Sequence, residues 1–254
     1  MNKPLDIILM THNKLENTTQ CLVSLYDNTP EPFRLIVVDD STDVTPQYIE
    51  WLSKQPGHNN ILYLRPDFYI KSASQLVNWA VKNYVESDCF VFLCNSTFVE
   101  QGWLPVALDI MTRDPKVGIV GFKLLFWPYG TIIEAANYVD PVTTFRPNVG
   151  MYQPGHLFTH IREVQSVGWA VVLVRTEIIR EMPLEEDYYI GFRGPEDTDI
   201  CLEVKRRGWK VIYNGFGSAY HKCSSSNGGG TPEGVAEVNE NWRRFKAKWM
   251  GRVP

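Results

Sequence analysis

The chain has 254 residues, 44% of them hydrophobic and 21% charged, with a net charge of −4 at pH 7. That apolar content excludes a chain disordered throughout, and the acidic balance disfavours nucleic acid as the main partner. No apolar run, Ile7 to Met10 and Cys89 to Cys94 among the longest, approaches the roughly 20 residues of a membrane-spanning helix.

Leu5 to Met10 is a short apolar run, which predicts a buried strand. Asn17 to Leu25 follows with apolar residues at Cys21, Leu22 and Leu25, a helical spacing that Pro30 and Pro32 terminate. Leu35 to Val38 is a β-branched strand ending at Asp39-Asp40, and Thr45-Pro46 reads as a helix start with Pro at the first position. Ile61 to Leu64 predicts a strand, Ser72 to Tyr84 a helix and Cys89 to Cys94 a further strand. Strands alternating with helices in this way imply an α/β fold with a mostly parallel sheet covered on both faces. Ligands of such sheets bind at the carboxyl ends of the strands. Those ends are Thr11-His12-Asn13, Asp39-Asp40-Ser41, Arg65 to Lys71 and Cys94-Asn95-Ser96.

The second half is less regular. Val117 to Phe126 and Val164 to Val174 predict strands, Pro195 to Arg207 a helix closed by Gly208, and Trp209 to Tyr213 a last strand. The Ser- and Gly-rich stretch Ser224 to Gly234 reads as a mobile loop, and the tail Val238 to Trp249 is aromatic and basic. There is no internal repeat and no linker, so a single domain over 1–254 is expected. Met1 to Asp6 reads as no signal peptide. The cysteines (Cys21, Cys89, Cys94, Cys201, Cys223) are odd in number and lack a Cys-x-x-Cys, which suits a reducing cytoplasm.

Asp39-Asp40 can accept hydrogen bonds from a base or a ribose, and equally can close a turn on its own backbone. Glu196, Asp197 and Asp199 fall in the first turn of a helix, where the dipole favours acids. Their mutual repulsion also raises the basicity of at least one, which suits a general base. His221 matters only if it converges with the other loops. Lys71, with Arg65 close by, has the charge to neutralise phosphate. No Gly-x-Gly-x-x-Gly and no Gly-Lys-Ser/Thr loop is present, so dinucleotide-binding and P-loop readings lack their fingerprints.

In order, these segments resemble a family 2 glycosyltransferase with the GT-A fold, from about Asp6 to Trp249. Asp6 to Lys14 is similar to the family's opening strand and Pro-Thr-Tyr-Asn-Arg loop. Leu35 to Asp43 resembles its Val-Asp-Asp-Gly-Ser-Thr-Asp stretch. Ser72 to Asn78 resembles its Gly-x-x-x-x-x-Asn, with Ser in place of Gly. Gly194-Pro195-Glu196-Asp197-Thr198-Asp199, followed by Arg207-Gly208-Trp209, is the most specific match, to the Glu-Asp-x-Asp acceptor motif. Trp242 to Trp249 resembles the Phe-x-x-Lys-Trp ending.

The resemblance implies a nucleotide-binding half over 1–100 and an acceptor-binding half over 101–254. Thr11, Asn13, Asp39, Asp40, Lys71, Asn78, Asn95 and Ser96 would hold the nucleotide sugar. Asp197 would be the catalytic base of an inverting transfer, with Glu196 beside it. Trp169 and Asp199 would shape the acceptor side. The family places a metal-binding carboxylate after the fourth strand, where this chain reads Leu93-Cys94-Asn95-Ser96-Thr97. Use of Mg²⁺ or Mn²⁺ is therefore expected to be weak or absent, with His221 as the remaining metal ligand. The acceptor is open between a glycan, a lipid-linked sugar, a protein and a modified nucleobase. The rival reading is a non-catalytic relative that binds a nucleotide or a glycan.

Overall fold

The computed structural model describes residues 3–191, 194–223 and 231–254. The first half alternates β1 (Leu5–Thr11), α1 (Leu15–Asn28), β2 (Phe33–Asp39), α2 (Thr45–Leu52), β3 (Ile61–Leu64), α3 (Ala73–Asn83) and β4 (Cys89–Cys94). The second half adds β5 (Thr97–Val99), α4 (Pro105–Arg113), β6 (Val117–Phe126), β7 (Ile132–Glu134), β8 (Ile161–Glu163) and β9 (Val171–Arg175). It continues with α5 (Thr176–Glu181), α6 (Glu196–Arg206), β10 (Lys210–His221) and α7 (Pro232–Trp249).

One 10-stranded sheet runs through both halves in the order β3-β2-β1-β4-β9-β6-β10-β5, with β7 on β6 and β8 on β10. The pairs β1–β2, β1–β4 and β2–β3 are parallel, as the alternation of elements predicts. Strand β9 runs antiparallel to both β4 and β6, and β10 returns parallel to β6. Strands buried on both faces explain the unbroken apolar runs. Ile7 and Leu9 of β1 pack toward α1, α2 and α4, through residues such as Leu22, Ile49 and Met111. Ile8, between them, packs toward α3, α5 and α6, through Val77, Ile178 and Ile200.

Three sequence expectations are corrected. The strand expected over 164–174 begins only at Val171, because the preceding backbone is held by loop partners. Asn137 donates its N–H to Ser166, and Gly168 donates its N–H to the Glu134 carboxylate. The last strand continues past Tyr213 to His221, through a register shift between Asn214 and Ser218 against β6. Gly215 and Gly217 fill that irregularity and hide the strand's apolar pattern. A Cβ on Gly215 would stand 2.0 Å from the Phe158 carbonyl oxygen. Of the stretch expected as a loop over 224–234, residues 224–230 lie outside the described residues, and Thr231 to Gly234 open helix α7. There the Thr231 hydroxyl accepts from the Gly234 N–H, with Pro232 at the first turn. Among the described residues, no helix is long and apolar enough to cross a membrane.

Candidate active site

Strands β1, β2 and β4 end side by side, with Thr11 opposite Asp39 and Met10 opposite Cys94. The residues that follow are tied together, Asp40 N–H to the Thr11 carbonyl at 3.2 Å and Asn95 N–H to the Met10 carbonyl at 3.1 Å. Beyond these ends opens a cavity of about 660 Å³. His12, Asp40, Asn95, Ser96 and His221 line one side, Trp169 the floor beside Phe92, and Glu196, Asp197 and Asp199 of α6 another wall. His12 Nδ1 stands 2.7 Å from Asp40 Oδ1.

Five residues expected to hold the nucleotide sugar do not line this cavity, and their side chains are engaged in the protein. Thr11 donates its hydroxyl to Asp39 at 2.8 Å, and both are buried. Asp39 also accepts from the Ser41 N–H at 3.0 Å, the Tyr63 hydroxyl at 2.8 Å and Arg65 at 3.1 Å. Asn13 and Lys14 both have left-handed backbone, φ 55° and 60°. Asn13 tolerates this because its side-chain oxygen accepts from the Thr42 and Asp43 N–H groups at 2.8 and 3.1 Å, clamping the two loops together. Lys71 reaches away to Asp187 at 3.2 Å. Asn78 donates to the Leu184 carbonyl and accepts from the Leu184 N–H, both at 2.8 Å, so it holds the 182–185 segment that walls the cavity.

The acidic turn of α6 carries three carboxylates in three environments. Asp197 Oδ1 accepts from the Thr198 N–H at 2.6 Å and the Thr198 hydroxyl at 3.2 Å, while Oδ2 faces Arg146 at 3.5 Å. Burial pushes Glu196 up to about 8, with Asp197, Glu237 and Asp199 adding to the shift. Burial also raises Asp199, against the pull of Lys248, which donates to it at 2.9 Å. The Trp249 indole donates to the same carboxylate, so Asp199 ties α6 to α7. The sequence reading missed Arg146 and its second partner Glu134. A lone arginine in an irregular segment carries no pattern, and its partner Asp197 is 51 residues away.

Strand β5 sets His221 opposite Thr97, and the Lys222 N–H bonds the Ser96 carbonyl at 2.9 Å. The late histidine and the β4 loop therefore converge, the condition under which the sequence reading gives His221 a role. The donors gathered there do not suit Mg²⁺ or Mn²⁺. Asn95 donates its amide nitrogen to the Asn13 carbonyl and the Thr18 hydroxyl, at 3.1 and 3.0 Å, which leaves a neutral amide oxygen as its ligand atom. Ser96 adds a neutral hydroxyl, and burial pushes His221 down to about 4, so its imidazole is neutral too and none of the three cancels the charge of the ion. Among the described residues no cluster of three His, Cys, Asp or Glu side chains could hold a metal ion. A hard divalent cation prefers carboxylate oxygen, and the carboxylate on this side of the cavity, Asp40, is engaged by His12 at 2.7 Å.

Residues 6–126 match glycosyl transferase family 2. The matched segment runs from β1 to the end of β6 and contains Asp40, Asn95 and Ser96. A Sinorhizobium fredii (strain NBRC 101917 / NGR234) relative, "Uncharacterized protein y4gI", is 25% identical over 248 residues, 93% of this chain and 26% of its own length. The chain thus spans about a quarter of that relative. Among solved structures, GalNAc-T7 with UDP, GalNAc and Mn²⁺ has a TM-score of 0.76 at 13% identity, over 97% of this chain and 48% of that one. The Pyrobaculum calidifontis mannosyltransferase PcManGT, in complex with GDP-Man and Mn²⁺, scores 0.67 at 14% identity, over 98% of this chain and 65% of that one. S. aureus TarS 1-349 with UDP-GlcNAc scores 0.61 at 16% identity, over 88% of this chain and 60% of that one. At such identities the likeness shows the fold. The resemblance to family 2 glycosyltransferases thus holds over residues 6–126 in sequence and over most of the chain in its GT-A fold.

Proposed function

We propose that the protein is an inverting glycosyltransferase, moving a sugar from a nucleotide-sugar donor to an acceptor hydroxyl. The observation that carries this reading is the cavity itself, with Asp40 at the strand ends and Glu196 and Asp197 on a facing helix. The matched family and the neighbours solved with UDP, GDP-Man and UDP-GlcNAc support a nucleotide-sugar donor.

In this reading the nucleoside lies against Asp40 and the sugar extends toward Trp169. The acceptor hydroxyl meets Asp197 and gives up its proton to the carboxylate as its oxygen attacks the anomeric carbon. The bond to the diphosphate oxygen breaks on the opposite face, and its electron pair leaves with the nucleoside diphosphate. His12, the Ser96 hydroxyl and the neutral His221 imidazole offer hydrogen bonds to the charge that develops there. The same chemistry serves a glycan, a lipid-linked sugar, a protein or a modified nucleobase as acceptor.

The donor set around Asn95, Ser96 and His221 supports weak or absent metal dependence. It is also the observation that favours the second reading, a non-catalytic nucleotide- or glycan-binding protein. One measurement separates the two: nucleoside diphosphate release across a panel of nucleotide sugars, in excess EDTA and in millimolar Mn²⁺. Release that persists in EDTA supports a transferase without a bound metal. Release abolished by EDTA and restored by Mn²⁺ contradicts the metal claim, and binding without release throughout supports the second reading.

A further inference from the structure

Arg146 lies in the segment between β7 and β8, with its side chain 13% exposed. Its Nη2 stands 3.5 Å from Asp197 Oδ2 and 3.5 Å from Glu134 Oε2. The structural arginines of this fold behave differently. Arg175 donates to the Val117 and Met111 carbonyls at 2.9 Å, and Arg180 to the Val85 carbonyl at 2.8 Å, pinning backbone. Arg146 instead faces two carboxylates, and its buried Nε has no hydrogen-bond partner. Its guanidinium is thus held by charge and not by the backbone.

We propose that Arg146, shared between Asp197 and buried Glu134, is the positioning residue that sets a positive charge beside Asp197 and orients its Oδ2 for an acceptor hydroxyl. This deepens the glycosyl-transfer reading and rests on it. Asp197 sits among acids. Glu196 and Asp199 share its helical turn, Glu134 faces it from β7, and Glu237 of α7 stands behind Glu196; burial raises Glu134, Glu196 and Asp199. Like charges favour the protonated acid, which is no base, and one neighbouring cation reverses that.

Glu134 does the complementary task. It is fully buried, and it accepts from the Gly168 N–H and from the Asn137 amide. It stands on the other side of the guanidinium, although burial raises its own acid, and Arg146 stays between the two carboxylates instead of closing on Asp197. Charge-assisted pairs close to about 2.7–2.9 Å, and both contacts here stay at 3.5 Å. A locked pair would occupy Oδ2 and withdraw it from the acceptor proton. With Oδ1 committed to Thr198, Oδ2 remains the oxygen that takes the proton.

The test is a ¹³C NMR titration of Asp197 in protein labelled at the aspartate carboxyls, its resonance identified with Asp197→Asn, beside the pH profile of kcat. Arg146→Met should raise the Asp197 midpoint by about one pH unit or more. The acid limb of the kcat profile should move up by the same amount with the donor KM within about twofold, and Arg146→Lys should recover at least half of the midpoint shift. Glu134→Gln should move the midpoint the opposite way. Should Arg146→Met fail to fold, Arg146→Gln reads the same quantity. A folded Arg146 variant with an unmoved midpoint overturns the proposal, as does Glu134→Gln shifting it in the same direction as Arg146→Met. The titration needs no turnover, so an absence of transfer by the wild type counts against the transferase reading alone.

Discussion

Asp39 and Asp40 are neighbours with opposite duties, and strand geometry explains the difference. Consecutive side chains at a strand end point to opposite sides. Asp39 turns inward to Thr11, Tyr63 and Arg65, while Asp40 reaches the cavity and His12. A motif reading marks both residues, and only the pleat decides which one is free to meet a ligand. Asp40→Ala is expected to weaken nucleoside diphosphate binding by about 1.5 kcal/mol, the low end for a hydrogen bond to a charged group, because the site is partly open to water. Isothermal calorimetry giving wild-type affinity for a folded variant would contradict this. Glu196 sets a second test. Its acid moves from 4.5 to about 8 through burial, so the folded state keeps a proton that the unfolded chain releases. Stability from this group is complete below about pH 4.5 and declines as pH rises toward 8, by at most about 1.4 kcal/mol per unit. Glu196→Gln removes the titration. Its melting temperature should therefore gain on the wild type as pH rises from 5 to 8, and parallel curves would show that Glu196 does not carry the shift.

At the scale of elements, legibility followed burial. Strands β1 to β4 carry continuous apolar runs, and each was visible in the sequence to within a few residues. Strands β7 and β8 are 3 residues long, too short for any periodicity. Strand β10 was half visible because its glycines interrupt the pattern. Helix α7, whose first turn was read as loop, builds part of the site. Its Phe245 and Trp249 pack with Leu202 of α6, Val139 and Tyr189, and its Lys248 and Trp249 hold Asp199. Asp199, expected on the acceptor side, thus orients α6 and with it Glu196 and Asp197. Asp199→Ala removes the carboxylate that Lys248 and Trp249 share, while Lys248 keeps Glu185 at 3.1 Å, and should cost about 1.5–3 kcal/mol in urea unfolding. A loss below about 0.5 kcal/mol, the range of ordinary surface substitutions, would mean that α7 docks on its aromatics alone.

Across the whole molecule, the two halves of the sheet divide the work. The parallel half ends in three loops at one level and creates the side where Asp40 and Asn95 converge. The mixed half brings α6 and the segment carrying Arg146 to face that side, and adds His221 beside the Ser96 loop. The first half follows local rules of alternation, which is why the fold class and the strand-end residues could be read directly. The second depends on contacts between distant segments, Arg146 with Asp197 and Lys222 with Ser96 among them, and no local pattern encodes those. The central claim is that this arrangement transfers sugar with Asp197 as the base. It is tested most directly by measuring turnover of a bound nucleotide sugar by the wild type and by Asp197→Asn, with donor affinity measured in parallel. The account predicts a fall in turnover of roughly 10²–10⁴-fold, the usual share of general-base catalysis, with donor affinity nearly unchanged. Near-full turnover by a folded Asp197→Asn would contradict it.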